Sequence, residues 1–322
     1  MNIPGLSIRP FTPETDYPRL AELITSSHLA DGIDYLPTAD NLRIDYEHTE
    51  GMDPKLDVLL AEVEGRLIGF GQVQRDIREG TQMHWTFGTV LPEYRRRGLG
   101  RAILHANEAR LREIASGFEA GERAFCSFFD DKVTGALELF TSEGYRPTRW
   151  GTTMQRTGLE DVVEVPLPEG LEVRPVRPED HRVIFDADNE AFRDHWGHRE
   201  ATDDDFARTF RMPELDTSLW RVAWDGDQVA GVVKSWIWRE ENEKLGVRRG
   251  WLEHISVRRP WRRRGLAKAL IASALIGLRD AGMDEAMLGV DMENPSGAVG
   301  LYESVGFRVK DRGTHYRKEW VE

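Results

Sequence analysis

One cysteine, Cys126, stands in 322 residues, so no disulfide can form within the chain. Basic residues are outnumbered: 43 Lys and Arg against 56 Asp and Glu leave a formal net charge of −13. A chain this acidic lacks the broad basic face that phosphate neutralisation needs, so no nucleic-acid partner is expected. No apolar run approaches the ~20 residues of a membrane span, and the opening MNIPGLSIRPF has no basic segment ahead of an apolar stretch. Neither a membrane partner nor a secretory leader is expected, and the default location is cytoplasmic. Hydrophobic residues at 40% beside charged residues at 31% suit globular domains with real cores. The length suits two of them, at about 150 residues each.

What the chain does contain is a repetition. YRRRGLGRAI at 94–103 recurs as WRRRGLAKAL at 261–270. IRPFTPE (8–14) recurs as VRPVRPE (173–179), AEVEGRLIGFGQV (61–73) as VAWDGDQVAGVVK (222–234), and GALELFTSEGYR (135–146) as GAVGLYESVGFR (297–308). Four matches in one order at a nearly constant offset mean a duplicated domain, not a solenoid. The expected division is a first domain over 1–155, a linker over 156–170 and a second domain over 171–322. Within the second copy the pattern predicts a strand at 171–177, helices in 178–215 and a hairpin over about 219–238. Its turn is expected at Asp225-Gly226, as at Glu64-Gly65 in the first copy. A strand at 251–257, a helix from Leu266, a strand at 286–292, a helix at 297–305 and final strands follow. Ala267, Leu270, Ile271, Ala274, Leu275 and Leu278 form one helical stripe. Strands interleaved with helices give an α/β sandwich whose sheet is partly antiparallel.

A strand, then arginines and a glycine, then an amphipathic helix outlines an anion site. The first N–H groups of a helix lack intrahelical partners, and the macrodipole adds about half a positive charge there. Gly265 permits close backbone approach, Ala267 keeps the helix start small, and Arg262, Arg263 and Arg264 raise the local potential. A diphosphate suits such a place. A solvated basic turn is the ordinary alternative, but the same context in both repeats argues against it. The spacing is not that of a nucleotidase P-loop.

Val257 to Ala267, with its Arg264-Gly265-Leu266-Ala267 end, resembles motif A of the GNAT superfamily of N-acetyltransferases, R/Q-x-x-G-x-G/A. Asn294, Leu301-Tyr302-Glu303 and Gly306-Phe307 resemble its motif B. The resemblance covers both halves, in the layout of tandem members. It implies an α/β fold of two GNAT-like domains, each a mixed, mostly antiparallel sheet flanked by helices. It implies acetyl-CoA as acyl donor, its pyrophosphate on residues 262–268 including Lys268, and its pantetheine beside Ile255, Ser256 and Val257. Asn294 would help hold that arm. The corresponding set in the first copy is Val90, Arg96, Arg97, Gly98, Leu99, Gly100 and Arg101.

Acetylating an amine requires loss of an ammonium proton, a donor to the oxyanion and protonation of the leaving thiolate. Glu253 is the expected base. On a regular strand it shares a face with Trp251, Ile255 and Val257, while His254, the second choice, points away. Asp291 is a further candidate. Tyr302, at the tyrosine of the family's LYE motif, is the expected acid. An ion-paired Glu253 and an amphipathic core Tyr302 are the structural alternatives.

The copies differ. Thr86 stands opposite Glu253, Phe87 opposite His254, Phe140 opposite Tyr302 and Lys132 opposite Asn294. A phenyl ring cannot protonate a thiolate, so the second copy is the expected catalyst and the first a degenerate partner. His84 is a weak candidate for rescue, and Cys126 reads as packing. Phe192, His195, Trp196, His198, Trp236 and Trp238 could line the acceptor pocket. Asp203–Asp205 reads as a solvated helix start, and the two histidines of HWGH as no metal site. The expected function is N-acetyl transfer to a primary amine of a small molecule. A coenzyme-binding module without activity and a protein N-terminal or lysine acetyltransferase are the alternatives.

Overall fold

The computed structural model describes residues 3–49, 51–78, 80–195, 198–293 and 297–320. The first repeat contributes β1 (Leu6–Pro10), α1 (Pro13–Asp31), α2 (Ala39–Glu47), α3 (Pro54–Asp57), β2 (Val58–Val63), β3 (Arg66–Arg78), β4 (Thr81–Val90), α4 (Leu99–Ser116), β5 (Arg123–Asp130), α5 (Thr134–Ser142) and β6 (Arg146–Thr157). The second contributes β7 (Glu172–Arg174), α6 (His181–Phe192), α7 (Asp203–Thr209), β8 (Arg221–Asp225), β9 (Gln228–Trp236), α8 (Arg239–Leu245), β10 (Arg249–Val257), α9 (Leu266–Asp280), β11 (Glu285–Asp291), α10 (Ala298–Ser304) and β12 (Arg308–Glu319).

The hairpin β2–β3 turns through Glu64 and Gly65, both at positive φ (50° and 78°), as a two-residue turn matching strand twist requires. In β8–β9, Asp225 pairs with Gln228, so the turn is Gly226-Asp227, one residue later than the sequence suggests.

The chain folds as two compact units, Met1–Arg149 with Gly313–Glu322, and Trp150–Arg312. These bounds differ from the sequence repeats at the terminal strands. In the first unit β1 to β4 pair antiparallel in sequence and β4 joins β5 in parallel. The end of β12, from Gly313 to Glu319, then lies antiparallel to β5. In the second unit β7 to β10 pair antiparallel and β10 joins β11 in parallel. Beyond β11 lies β6, from Gly151 to Thr157. Each sheet is thus closed by the last strand of the other repeat.

The core of the second unit forms where α9 lies on the sheet. Leu270, Ile271, Leu275 and Leu278 meet Leu252, Ala286 and Leu288, all buried, and each leucine or isoleucine contributes about 1.5–3 kcal/mol. Close packing here uses Gly250, where a Cβ would stand 2.4 Å from a Leu278 methyl. In the first unit α1 and α4 cover the sheet through Leu20, Leu60, Ile68, Leu99 and Ile103.

Two parallel pairings place the site. β10 meets β11 only over Arg249–Trp251, and β4 meets β5 only over Gln82–Trp85. Beyond those residues each strand pair splays, leaving a backbone edge open.

Candidate active site

Both RRRG segments fold alike. Arg263 and Arg96 each take φ 62°, and Gly265 and Gly98 take 86° and 87°. A left-handed arginine costs about 1–2 kcal/mol, and its occurrence at the same place twice marks a loop shaped for its backbone. Among the described residues the N–H groups of 263–268 have no hydrogen-bond acceptor, nor have those of 96–101; the next amides, Ala269 and Ala102, turn back to Gly265 and Gly98. Six free amides, two left-handed residues and a helix start form an anion cradle.

The three arginines divide their work. Arg262 faces back into its own unit, donating to the Val257 carbonyl (2.8 Å), the Ala191 carbonyl (3.2 Å) and Asp194 (2.5 Å). Arg95 in the first copy does the same with the Val90 carbonyl and Asp31. This first arginine braces the loop. Arg264 bonds the Glu169 carbonyl (3.1 Å). Arg263 is exposed. Ile255 and Val257 pack against the core, Ser256 is buried, and Lys268 is half-buried.

The strand β10 is not regular. Leu252 pairs with Ser235 and His254 with Lys234, so Glu253 is the extra residue of a β-bulge. The expected alternation is therefore corrected. Leu252, Ile255 and Val257 face α9, whereas His254 and Ser256 face α6. His254 does not point away from Glu253's surroundings. Both are solvent-accessible. Trp238 Nε1 donates to Glu253 Oε1 (3.3 Å), and Trp238 stacks on Trp236 with ring centroids 5.5 Å apart. Glu253 reaches water, yet packed protein stands on the other sides of its carboxyl. Desolvation raises its carboxyl above the usual range, against weaker lowering by Trp238 and His254.

Beneath His254 lies a group that the sequence does not signal. Asp188 of α6 is buried and takes three hydrogen bonds: from Lys234 Nζ (2.6 Å), Ser256 Oγ (2.6 Å) and His254 Nδ1 (2.9 Å). Burial alone would raise this carboxyl, but Lys234 and His254 outweigh it and hold it well below the ordinary carboxylate range. In FDADNE, Asp188 is one of several helix acids; only packing singles it out. Phe192 lies 5.1 Å from the His254 ring and 4.3 Å from that of His195. His195 is lowered by burial, then by Arg262. His198 Nε2 is buried without a hydrogen bond. Trp196 and Asn294 lie outside the described residues.

Tyr302 is buried at the edge of the core, 6.3 Å from Phe307 between ring centroids. Burial pushes its hydroxyl up to about 12, so it is protonated at neutral pH. Asp291 ends β11, its Oδ1 accepting from the Glu293 amide (3.0 Å).

Gly289 was also missed. It lies on β11 beyond the parallel pairing, and no described atom lies within 4 Å of where a Cβ would be. Its counterpart by the repeat alignment is Ser127, whose hydroxyl crosses the first unit's gap to the Thr86 carbonyl (2.9 Å). Asn107, aligned with Ala274, donates to the Phe87 carbonyl (3.0 Å) and to Thr86 Oγ1 (2.9 Å). Ser127 bridges the first gap, and Gly289 has no side chain to bridge the second.

The first loop is also neutralised. Arg96 pairs with Glu138 and Arg101 with Glu143 of the α5 region; the aligned second-copy residues are Gly300 and Val305. Arg97 stacks on Tyr94, 5.5 Å from the ring. His84 is buried against Trp320, and desolvation lowers it to about 4. Cys126 is buried and its thiol is pushed up to about 12, which leaves it unreactive.

The chain as a whole has counterparts among known proteins. The profile described as "Acetyltransferase (GNAT) family" matches residues 182–307, and that described as "Acetyltransferase (GNAT) domain" matches 54–151. A mycothiol acetyltransferase of Salinispora tropica is 30% identical over 281 residues, covering 86% of this chain and 85% of the relative. The chain belongs to the GNAT acetyltransferase family. It is an N-acetyltransferase, and acetyl-CoA is its acyl donor. A second mycothiol acetyltransferase, of Salinispora arenicola, is 29% identical over 95% of each chain. A GCN5-related N-acetyltransferase of Sphaerobacter thermophilus superposes with a TM-score of 0.74 at 28% identity, covering 99% of this chain and 97% of its own. A tandem GNAT protein from the clavulanic acid biosynthesis pathway shares the fold at 14% identity, with a TM-score of 0.71 over 98% of each chain. Among the described residues of this GNAT protein, no helix is long and apolar enough to cross a membrane.

Proposed function

We propose that the second unit moves the acetyl group of acetyl-CoA to a primary amine of a small molecule, by direct attack in a ternary complex. The observation that carries this reading is the open gap beside β10. A free strand edge, Gly289 without a side chain, six unpaired amides and a buried tyrosine all occur in one unit. Acetyl-CoA is a substrate here and supplies an acetyl thioester. Residues 263–268 would hold its diphosphate, with Arg262 and Arg264 bracing the loop, and Ile255–Val257 would pair with its arm. Asn294 keeps its expected role in holding that arm.

Glu253 takes a proton from the acceptor ammonium. Its raised pKa suits that task, since a base works best when its pKa approaches the working pH. A backbone N–H of 255–257 steadies the oxyanion. Tyr302, held neutral by burial, protonates the sulfur as it leaves. The acceptor meets Phe192, Trp238 and His254, an aromatic, partly polar wall suited to a small polar amine. The curated relatives named as mycothiol acetyltransferases support the small-molecule reading over a protein acceptor. In the first unit, Val90 and residues 96–101 offer the same amides and would hold a coenzyme diphosphate more weakly, because carboxylates already occupy Arg96 and Arg101.

The test follows free thiol while the protein meets acetyl-CoA and amino sugars, cysteinyl sugars, aminoglycosides and polyamines. At least one small amine should be acetylated. Tyr302→Phe and Glu253→Gln should each lower kcat by ~10²-fold with little change in KM for acetyl-CoA. Unchanged kcat in both variants would remove the assigned roles, and acetylation of peptides alone would remove the acceptor class.

A further inference from the structure

Transfer to an ammonium removes two protons from one nitrogen. The first leaves before attack, to free the lone pair. The second leaves the positively charged nitrogen of the adduct. Glu253 is assigned one of them, and the chemistry asks for a second acceptor beside it. We propose that His254 is that acceptor and that Asp188 is the positioning residue that sets its tautomer; this rests on the amine-acetylating reading above.

Asp188 is ionised and buried, so the contact at 2.9 Å requires a proton on His254 Nδ1. A neutral His254 then carries its lone pair on Nε2. The ring is half exposed, with 49% of its side-chain surface open, while Asp188 is 5% exposed. The bulge at Glu253 leaves Glu253 and His254 side by side on one side of β10; on a regular strand these neighbours would face opposite ways. Lys234 and Ser256 fix the carboxylate from two other directions, so it cannot turn from the imidazole. A buried ion pair is costly, and well-packed apolar residues often do as well or better for stability. The first copy has no buried ion pair at the equivalent place: Thr89, aligned with Ser256, meets Ser27 of α1 through a neutral hydrogen bond of 2.7 Å. There the position of His254 is Phe87. The charged cluster is present where the gap is open and absent where it is bridged.

The step balances as follows. Glu253 takes one ammonium proton, and the amine lone pair forms the C–N bond. His254 Nε2 takes the second proton from nitrogen. The oxyanion re-forms the carbonyl, the C–S bond breaks, and Tyr302 gives its proton to sulfur. One proton returns to Tyr302 and one goes to solvent.

Two measurements test this. The ¹⁵N shifts of His254 in the unliganded wild-type protein should show Nδ1 protonated and Nε2 bare at neutral to alkaline pH. A proton on Nε2 would overturn the proposal without touching the acceptor reading. In kinetics, His254→Ala and Asp188→Asn should each lose ~10²-fold in kcat while KM for acetyl-CoA holds. Added imidazole should restore part of the rate to His254→Ala and none to Asp188→Asn. Wild-type kcat in a folded His254→Ala would sink the role even where the wild-type enzyme acetylates amines. A wild type inactive on every amine would instead sink the reading beneath it. Should Asp188→Asn fail to fold, the wild-type tautomer and the imidazole rescue still decide.

Discussion

At the scale of residues, the site depends on what is missing as much as on what is present. Gly289 shows this most plainly. The second unit's gap is open because one position on β11 carries no side chain, and the first unit's is bridged because the aligned residue is a serine. Gly289→Val should therefore fold normally, since the space is empty and valine suits a strand. It should raise KM for acetyl-CoA on the order of tenfold or more, measured beside an unchanged melting temperature. A drop in stability with coenzyme affinity intact would contradict the assignment. Residue types were legible in the sequence: Glu253, Tyr302 and the loop arginines stand out by motif. The face of Glu253 was not. Strict alternation paired it with Ile255 and Val257, and a single bulge separates them. Asp188 carries no local mark, because a helix acid looks the same whether it meets water or a buried lysine.

At the scale of elements, helix starts decide much of the second unit's shape. Thr202 caps α7 by accepting from the Asp205 amide (3.3 Å), and Asp205 returns a bond from the Thr202 amide (2.8 Å), a reciprocal capping box. Arg199 adds a bidentate pair with Asp205 at 2.7 and 2.8 Å. The acidic run is thus used locally, as a helix start: Asp203 meets Arg182, and Asp205 serves the cap. Burial would raise the Asp205 carboxyl, but Arg199 and the Thr202 amide lower it from 3.8 to about 2. A lowered folded pKa stabilises above the unfolded value, and that contribution is lost as pH falls from about 4 through about 2. Asp205→Asn should cost about 1–2 kcal/mol at pH 6 and flatten the pH dependence of unfolding between those limits. Urea melts at pH 2, 3, 4 and 6 would show it; parallel curves for variant and wild type would refute it. The helix stripe of α9 was legible from its period, and so was the hairpin, apart from a one-residue error at its turn.

At the scale of the whole molecule, the repeat in sequence is not the unit of folding. Gly313–Glu319 completes the first unit beside β5, and Gly151–Thr157 completes the second beside β11. A fragment holding residues 171–322 would lack the strand that covers β11, exposing an edge beside buried Met287 and Leu288. Fragments 1–155 and 171–322 should therefore aggregate when produced singly and become soluble when produced together. Independent, cooperative unfolding of each lone fragment would show the exchange to be dispensable. The two loops make a further prediction. Calorimetry should find acetyl-CoA bound tightly once per chain, with a weaker second event. Glu138→Gln combined with Glu143→Gln should strengthen the weaker one, by freeing Arg96 and Arg101, and leave kcat unchanged. No change in the second event would place it elsewhere.

The sequence by itself determined the duplication, the two cradles and the inequality of the copies, because each is written in residues close together along the chain. A glycine beside arginines, a tyrosine replaced by phenylalanine and an apolar stripe all act over one or two turns of backbone. Only the tertiary structure decided which sheet each terminal strand joins, which way Glu253 faces and what Asp188 holds. Those depend on pairing between residues far apart, where register and burial act together and the local sequence is the same whichever partner wins.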